Sequence, residues 1–166
     1  MRHKVEQRGA VRAEEMPKIV VDSCGTGGGS SNWYKSGGFS YHEGETPDSR
    51  MTAAAATRGI KLRGASRPLV PGDFSRFKYI VCMDNSNRDA VIRALAFWRG
   101  AGVLSDAPED VALQENCILM MADFIESDDI TSVPDPYYGG SKGFELVLDL
   151  LEDASDKLLD YIEEHS

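Results

Sequence analysis

The residues best arranged to do chemistry are Val133-Pro134-Asp135-Pro136-Tyr137-Tyr138-Gly139-Gly140. Each proline fixes its own φ near about −65° and pushes the residue before it towards extended backbone. Asp135 is therefore held on a stiff tether, which suits a proton donor that must stay in one place. Tyr137 and Tyr138 offer flat apolar walls with polar tips. On chemistry alone the plainer reading is the stronger one, a proline-rich turn with a surface aspartate. A short motif acquires a role only from its context.

Three cysteines, Cys24, Cys82 and Cys117, are the remaining nucleophile candidates. Cys82-Met83-Asp84-Asn85-Ser86-Asn87-Arg88 is formally C-x5-R, lying after an apolar run and before a helical pattern. As a phosphate cradle it is poor. Asp84 would set a carboxylate against a dianion, and no glycine lets the amides approach closely. It reads as a structural loop. Cys24 has Ser30 six residues on, not arginine, and reads as a buried or loop thiol. Cys24-Gly25-Thr26-Gly27-Gly28-Gly29 follows a strand-like run, but no helix follows it as a dinucleotide fingerprint requires. A flexible surface loop is the expectation there. The odd, sparse cysteines argue against a disulfide framework. With no CxxC pair and with His3, His42 and His165 scattered, no metal site and no cofactor are expected.

The elements that must position these residues alternate in type. Lys18–Ser23 reads as a short buried strand, Phe77–Met83 as a second, and Cys117–Ala122 as a third strand or a buried helical turn. Pro47–Gly59 is a helix, capped by Asp48 or Ser49, filled with alanines and ended by Gly59. Pro71-Gly72-Asp73-Phe74 starts a turn or short helix, and Asn87–Trp98 is a further helix. Residues 100–115 read as irregular. Phe144, Val147, Leu148, Leu151, Leu158, Leu159 and Ile162 fall at helical spacing and predict a long docking helix. Lys4–Arg8 lacks a preceding cap, so the chain reads as opening inside a helix. Alternating strands and helices imply an α/β fold with a parallel sheet, and ligands bind such sheets beyond the carboxyl ends of the strands. Asp135 follows the third strand and is expected at that edge.

Composition sets bounds. At 166 residues, 42% hydrophobic and 27% charged, the chain suits one globular domain over residues 1–166. No apolar run approaches the roughly 20 residues of a membrane span, and the N-terminus has no signal-peptide core. An intracellular, cytoplasmic protein without a membrane partner is the expectation. From Asp123 onward there are 13 acids and 2 bases, a net −11, against +2 for the residues before. That acidic stretch repels a phosphate backbone, so no nucleic-acid partner is expected.

Taken jointly, several stretches resemble one family. Val21-Asp22-Ser23-Cys24-Gly25-Thr26, Tyr41-His42-Glu43-Gly44, Pro47-Asp48-Ser49-Arg50-Met51, Phe77–Asp84, Ser86-Asn87 and Asp135-Pro136-Tyr137-Tyr138-Gly139 stand here in the order of the low-molecular-weight protein-tyrosine phosphatases. Ser66-Arg67-Pro68, Gly143-Phe144-Glu145 and Leu148–Ala154 look most like plant, algal or cyanobacterial members. The resemblance implies a three-layer open parallel sheet with flanking helices and hydrolysis of phosphotyrosine or small aryl phosphates. It implies Asp135 as the general acid and base, Tyr137, Tyr138 and Tyr41 as walls of the substrate cleft, and Ser23 as support for a phosphate loop. It fixes no oligomeric state.

The family's nucleophile lies in a C-x5-R-S loop after a first strand, and no C-x5-R-S occurs in these 166 residues. The resemblance thus implies a domain lacking its first strand, phosphate loop and half a helix, with a plastid address possible only in a preceding extension. No turnover is expected from the chain as written; a non-catalytic binding or regulatory module is the alternative. An arsenate reductase, which shares the fold, would want further cysteines to relay a disulfide. Removing an interior strand leaves a gap of about 10 Å between its neighbours. Each backbone group orphaned there costs about 1–3 kcal/mol.

Overall fold

β1 (Ile80–Cys82) and β2 (Ile118–Met120) pair in parallel, with Ile80 opposite Ile118 and Cys82 opposite Met120. Parallel neighbours need a crossover. Here it consists of α4 (Asn85–Gly100) and α5 (Pro108–Asn116). The computed structural model describes residues 1–11, 19–127, 129–138 and 140–165, and their side chains apart from those of 8–11, 138 and 141.

Successive strand residues point to opposite faces, and the two faces carry separate cores. Ile80 and Cys82 join Trp33, Leu69, Val91, Ala94 and Trp98 on the side covered by α4. Val81 and Leu119 pack with Met121, Val133, Val147, Ala154 and Leu158 on the side covered by α6 (Gly140–Glu164). The helices α1 (Arg2–Val11) and α2 (Ser49–Thr57) rest on α6. The chain is an α/β fold, a parallel sheet with helices on both faces, as its pattern of strands and helices predicts. Leu69, Leu95 and Leu159 are almost sealed from solvent. Burying each contributes about 1.5–3 kcal/mol before entropic costs.

The local signals explain most helix ends. Asp48 caps α2, accepting from the amides of Arg50 and Met51, and Gly59 follows at φ 71°. Asp73 begins α3 (Asp73–Arg76), and its buried carboxylate accepts from the amide of Val70 and from Arg67. Arg58, just past α2, reaches Glu145, Asp149 and Glu152 along one face of α6 and ties the two helices together.

Four expectations are corrected. Ile19–Ser23, the described part of the first predicted strand, belongs to no strand ladder, and Val20 is 57% exposed. An interior strand is buried only by neighbours on both sides. Among the described residues the nearest bridge lies just beyond it, Gly25 to Pro68, and the segment itself has a side-chain donor, the Arg2 guanidinium on the Val21 carbonyl at 2.7 Å. The second and third strands are shorter than their apolar runs; Met121–Phe124 turns into a 3-10 helix. Within residues 100–115, read as irregular, α5 begins at Pro108 and runs to Asn116, with Pro108 in its first turn followed by Glu109 and Asp110. A proline fits there because the first amides of a helix have no intrahelical partner.

The glycine segment is also anchored and not free. Trp33 is buried against Trp98, and Trp98 donates its indole N–H to the Tyr34 carbonyl at 3.0 Å. Gly27 sits at φ 95°, where an added Cβ would lie 2.2 Å from the Trp33 ring. No L side chain fits that turn without displacing a core tryptophan. No helix among the described residues is long and apolar enough to cross a membrane.

Candidate active site

Two loops leave the carboxyl ends of the paired strands, and each carries an aspartate. After β1, Asp84 turns back as the cap of α4, its Oδ1 accepting the Asn87 amide at 2.6 Å. The positive end of that helix is therefore already filled by the chain's own carboxylate. Cys82, which opens this C-x5-R segment, is buried, and desolvation pushes its thiol up to about 11. Arg88 pulls the other way but more weakly. A thiol with so little thiolate at neutral pH is a poor nucleophile.

The other two thiols are no better placed. Cys24 is exposed along the chain, yet neighbouring atoms desolvate its sulfur and push it up to about 11; Arg67 only partly opposes this. Burial raises Cys117 as well, and its thiol donates to the Gln114 carbonyl. None of the three has the depressed pKa of an activated cysteine.

The loop after β2 is built differently. The Val133 amide donates to the Met83 carbonyl at 2.8 Å, which joins this loop to the end of β1. Val133 is buried, whereas Asp135 is exposed. Pro136–Tyr138 makes a 3-10 turn. Asp135 Oδ1 accepts the Tyr137 amide at 2.9 Å, which fixes the carboxyl group without burying it. A Cβ on Gly143 in α6 would stand 3.4 Å from the Pro136 carbonyl, so the helix start braces the loop closely.

Tyr137 is 59% exposed and lies beside Arg50. The Arg50 guanidinium sits 5.0 Å from the centres of both the Tyr137 and Phe144 rings. The side chain of Tyr138 lies outside the described residues. Tyr41 is half exposed on the glycine segment, edge-on to Phe39 at 4.9 Å, with its amide on the Gly27 carbonyl. Among the described residues, none of its hydrogen bonds or ring contacts reaches the Asp135 loop. Ser23 lies in a separate cleft of about 250 Å³ with Cys24, Glu45, Thr46, Arg63 and Arg67. The structure thus joins Asp135 and Tyr137 directly and leaves Tyr41 and Ser23 on the neighbouring segment.

Two charged residues that sequence reading left without a role organise this edge. Arg67 bridges Asp22 and the buried Asp73, holding the Ile19–Cys24 segment to the turn before α3. Arg50 ties the start of α2 to the Asp135 loop. Both stand inside motifs noticed in the sequence, but only their ring and carboxylate partners give them a function. Among the described residues, no group of three or more potential ligands is arranged to hold a metal ion.

The family model for low molecular weight phosphotyrosine protein phosphatases matches residues 8–166. The chain belongs to this family. A Synechocystis protein assigned to the low molecular weight protein-tyrosine-phosphatases is 37% identical over 142 residues, covering 86% of this chain and 74% of the relative. A low molecular weight protein-tyrosine-phosphatase of Streptomyces coelicolor is 32% identical, over 88% of this chain and 74% of its own. Among solved structures, a protein tyrosine phosphatase from Entamoeba histolytica superposes with TM-score 0.71 at 35% identity, covering 98% of this chain and 84% of that one. The match to this low-molecular-weight phosphatase family accounts for the parallel sheet, its two helical layers and the order of the motifs.

Proposed function

We propose that residues 1–166 form one domain carrying the acid-base half of a phosphotyrosine phosphatase site. Asp135 protonates the leaving phenolate oxygen as the P–O bond breaks. Its carboxylate then takes a proton from the water that attacks the phosphocysteine. Tyr137, with Tyr138 and Tyr41, lines the cleft for a phosphotyrosine or aryl phosphate ring, and Ser23 supports the phosphate loop. The carrying observation is the Asp135 carboxylate, exposed at the carboxyl edge of the sheet and held by the Tyr137 amide.

The nucleophile of this reaction is a cysteine of a C-x5-R-S loop, a pattern outside these 166 residues. The raised thiols of Cys24, Cys82 and Cys117 do not replace it. The 166-residue polypeptide is therefore expected not to hydrolyse p-nitrophenyl phosphate. Appending a family strand with its C-x5-R-S loop and half-helix before Met1 is expected to restore hydrolysis. Activity of residues 1–166 that disappears in Cys82→Ser would overturn this reading and make Cys82 the nucleophile.

A second reading has one observation in its favour, the well-braced but largely exposed Tyr137 ring. In it the same surface binds or regulates a partner without catalysis. A cooperative thermal transition with no turnover, in the presence as well as the absence of the appended loop, would favour this binding module over the enzyme.

A further inference from the structure

Arg50 stands at the second position of α2, where the helix end is positive. A cation there opposes the helix dipole, and an acid would be favoured. Helix stability therefore does not explain it. Its surroundings do. Asp48 takes the guanidinium in a fork, from Nε at 3.1 Å and from Nη2 at 2.8 Å. The same guanidinium lies 5.0 Å from the centre of the Tyr137 ring and 5.0 Å from that of the Phe144 ring, and its Nη1 donates to the Tyr137 carbonyl at 3.5 Å. The Tyr137 amide, on the other side of that residue, donates to Asp135 Oδ1. Tyr137 thus links Arg50 to the carboxyl group.

We propose that Arg50, oriented by Asp48, is the positioning residue that locks the Asp135 loop to α2 and to the start of α6. The catalytic meaning of that lock rests on Asp135 being the acid; the lock itself does not. Asp48 has two jobs in one side chain, since the Oδ1 that caps the α2 amides also anchors Arg50. The entry of α2 and the pose of the acid loop are therefore set together. A lysine keeps the charge but has neither the planar stack nor the fork.

Amide exchange followed by NMR on the full 166-residue chain tests this without requiring turnover. In Arg50→Ala the Tyr137 amide is expected to exchange about tenfold faster, with α4 amides unchanged. Arg50→Lys is expected to behave nearly as Arg50→Ala does. Asp48→Asn, which still caps α2, is expected to speed Tyr137 exchange about threefold while α2 stays protected. Unchanged Tyr137 exchange in Arg50→Ala would overturn the proposal, as would an equal acceleration in α4. Full protection in Arg50→Lys would reduce Arg50 to a simple charge and overturn it too. If the lock holds but Asp135→Asn in the loop-completed protein keeps full activity, the acid assignment fails and the positioning role stands.

Discussion

Asp84 and Asp135 both lie at the carboxyl edge of the sheet and meet different surroundings. Each follows a parallel strand at its carboxyl end, where this class of sheet binds ligands. Asp84 is half-buried and turned inward onto the amides of α4. Asp135 is exposed, held by the Tyr137 amide on a loop stiffened by flanking prolines. The difference teaches that position at a sheet edge is not enough. An aspartate that satisfies a helix end contributes to folding, and one that leaves an oxygen to solvent is available for proton transfer. The same contrast separates the cysteines: the buried thiol beside Asp84 belongs to the core, where desolvation outweighs the pull of Arg88.

The largest expected effect breaks the comparison at Asp135. In the protein completed with a C-x5-R-S loop, Asp135→Asn keeps the acceptor for the Tyr137 amide but loses the acid. Steady-state kinetics with an aryl phosphate are expected to show kcat falling about 10²- to 10⁴-fold, with melting temperature unchanged. A change of less than threefold would remove Asp135 from the chemistry.

Next comes the thiol on the Asp84 side. Cys82→Ser puts a hydroxyl into the apolar core around Trp33 and Trp98 and is expected to cost about 1–3 kcal/mol in denaturant unfolding. Cys24→Ser, on the exposed segment, is expected to stay within about 0.5 kcal/mol. Equal losses at both positions would mean that Cys24 is also part of a core.

A smaller effect belongs to the cap. Asp84→Ala removes the acceptor for the Asn87 amide and is expected to cost about 1 kcal/mol, a shift of roughly 2–4 °C for a chain of this size. Asp135→Ala, by contrast, is expected to leave the melting temperature almost unchanged. If the two losses were alike, the division of labour between the loops would be wrong.

The smallest effect is a pH dependence at Asp48, which steers the Asp135 loop through Arg50. Side-chain hydrogen bonding from Arg50, then the Arg50 amide, lowers its carboxyl pKa to about 2. A folded-state pKa below the ordinary value means the contribution is complete above about pH 4 and is lost as pH falls through about 2. Protection of the Arg50 amide, which donates to Asp48 Oδ1, is expected to decline across that window, and Asp48→Asn should flatten the decline. A loss of protection on raising the pH instead would contradict the sign.

Much of this was legible without coordinates. Helix signals are local. Asp48 before Ser49, Gly59 after Thr57 and the apolar stripe of α6 act through neighbouring backbone and a fixed 3.6-residue period, so they survive as patterns. α5 hides in residues 100–115, read as irregular, because a proline and acids suit the first turn of a helix as well as a loop. The run Lys18–Ser23 suggests a buried strand for a different reason. An apolar run says that a strand could be buried there, but burial depends on strands contributed from elsewhere, and its described part meets an arginine in place of a ladder.

The sequence by itself determined the family, the alternation of elements, and the proline-clamped Asp135 with its tyrosines. It also determined that no C-x5-R-S occurs within these residues. Those are matters of residue type and spacing along the chain. Packing alone settles that Asp84 is consumed as a cap, that Cys82 is sealed in the core, and that Arg50 lies against both Tyr137 and Phe144. The physical reason is that a side chain's chemistry depends on what desolvates it and what hydrogen-bonds to it. Those neighbours come from segments as distant in sequence as Arg50 and Tyr137, brought together only by packing.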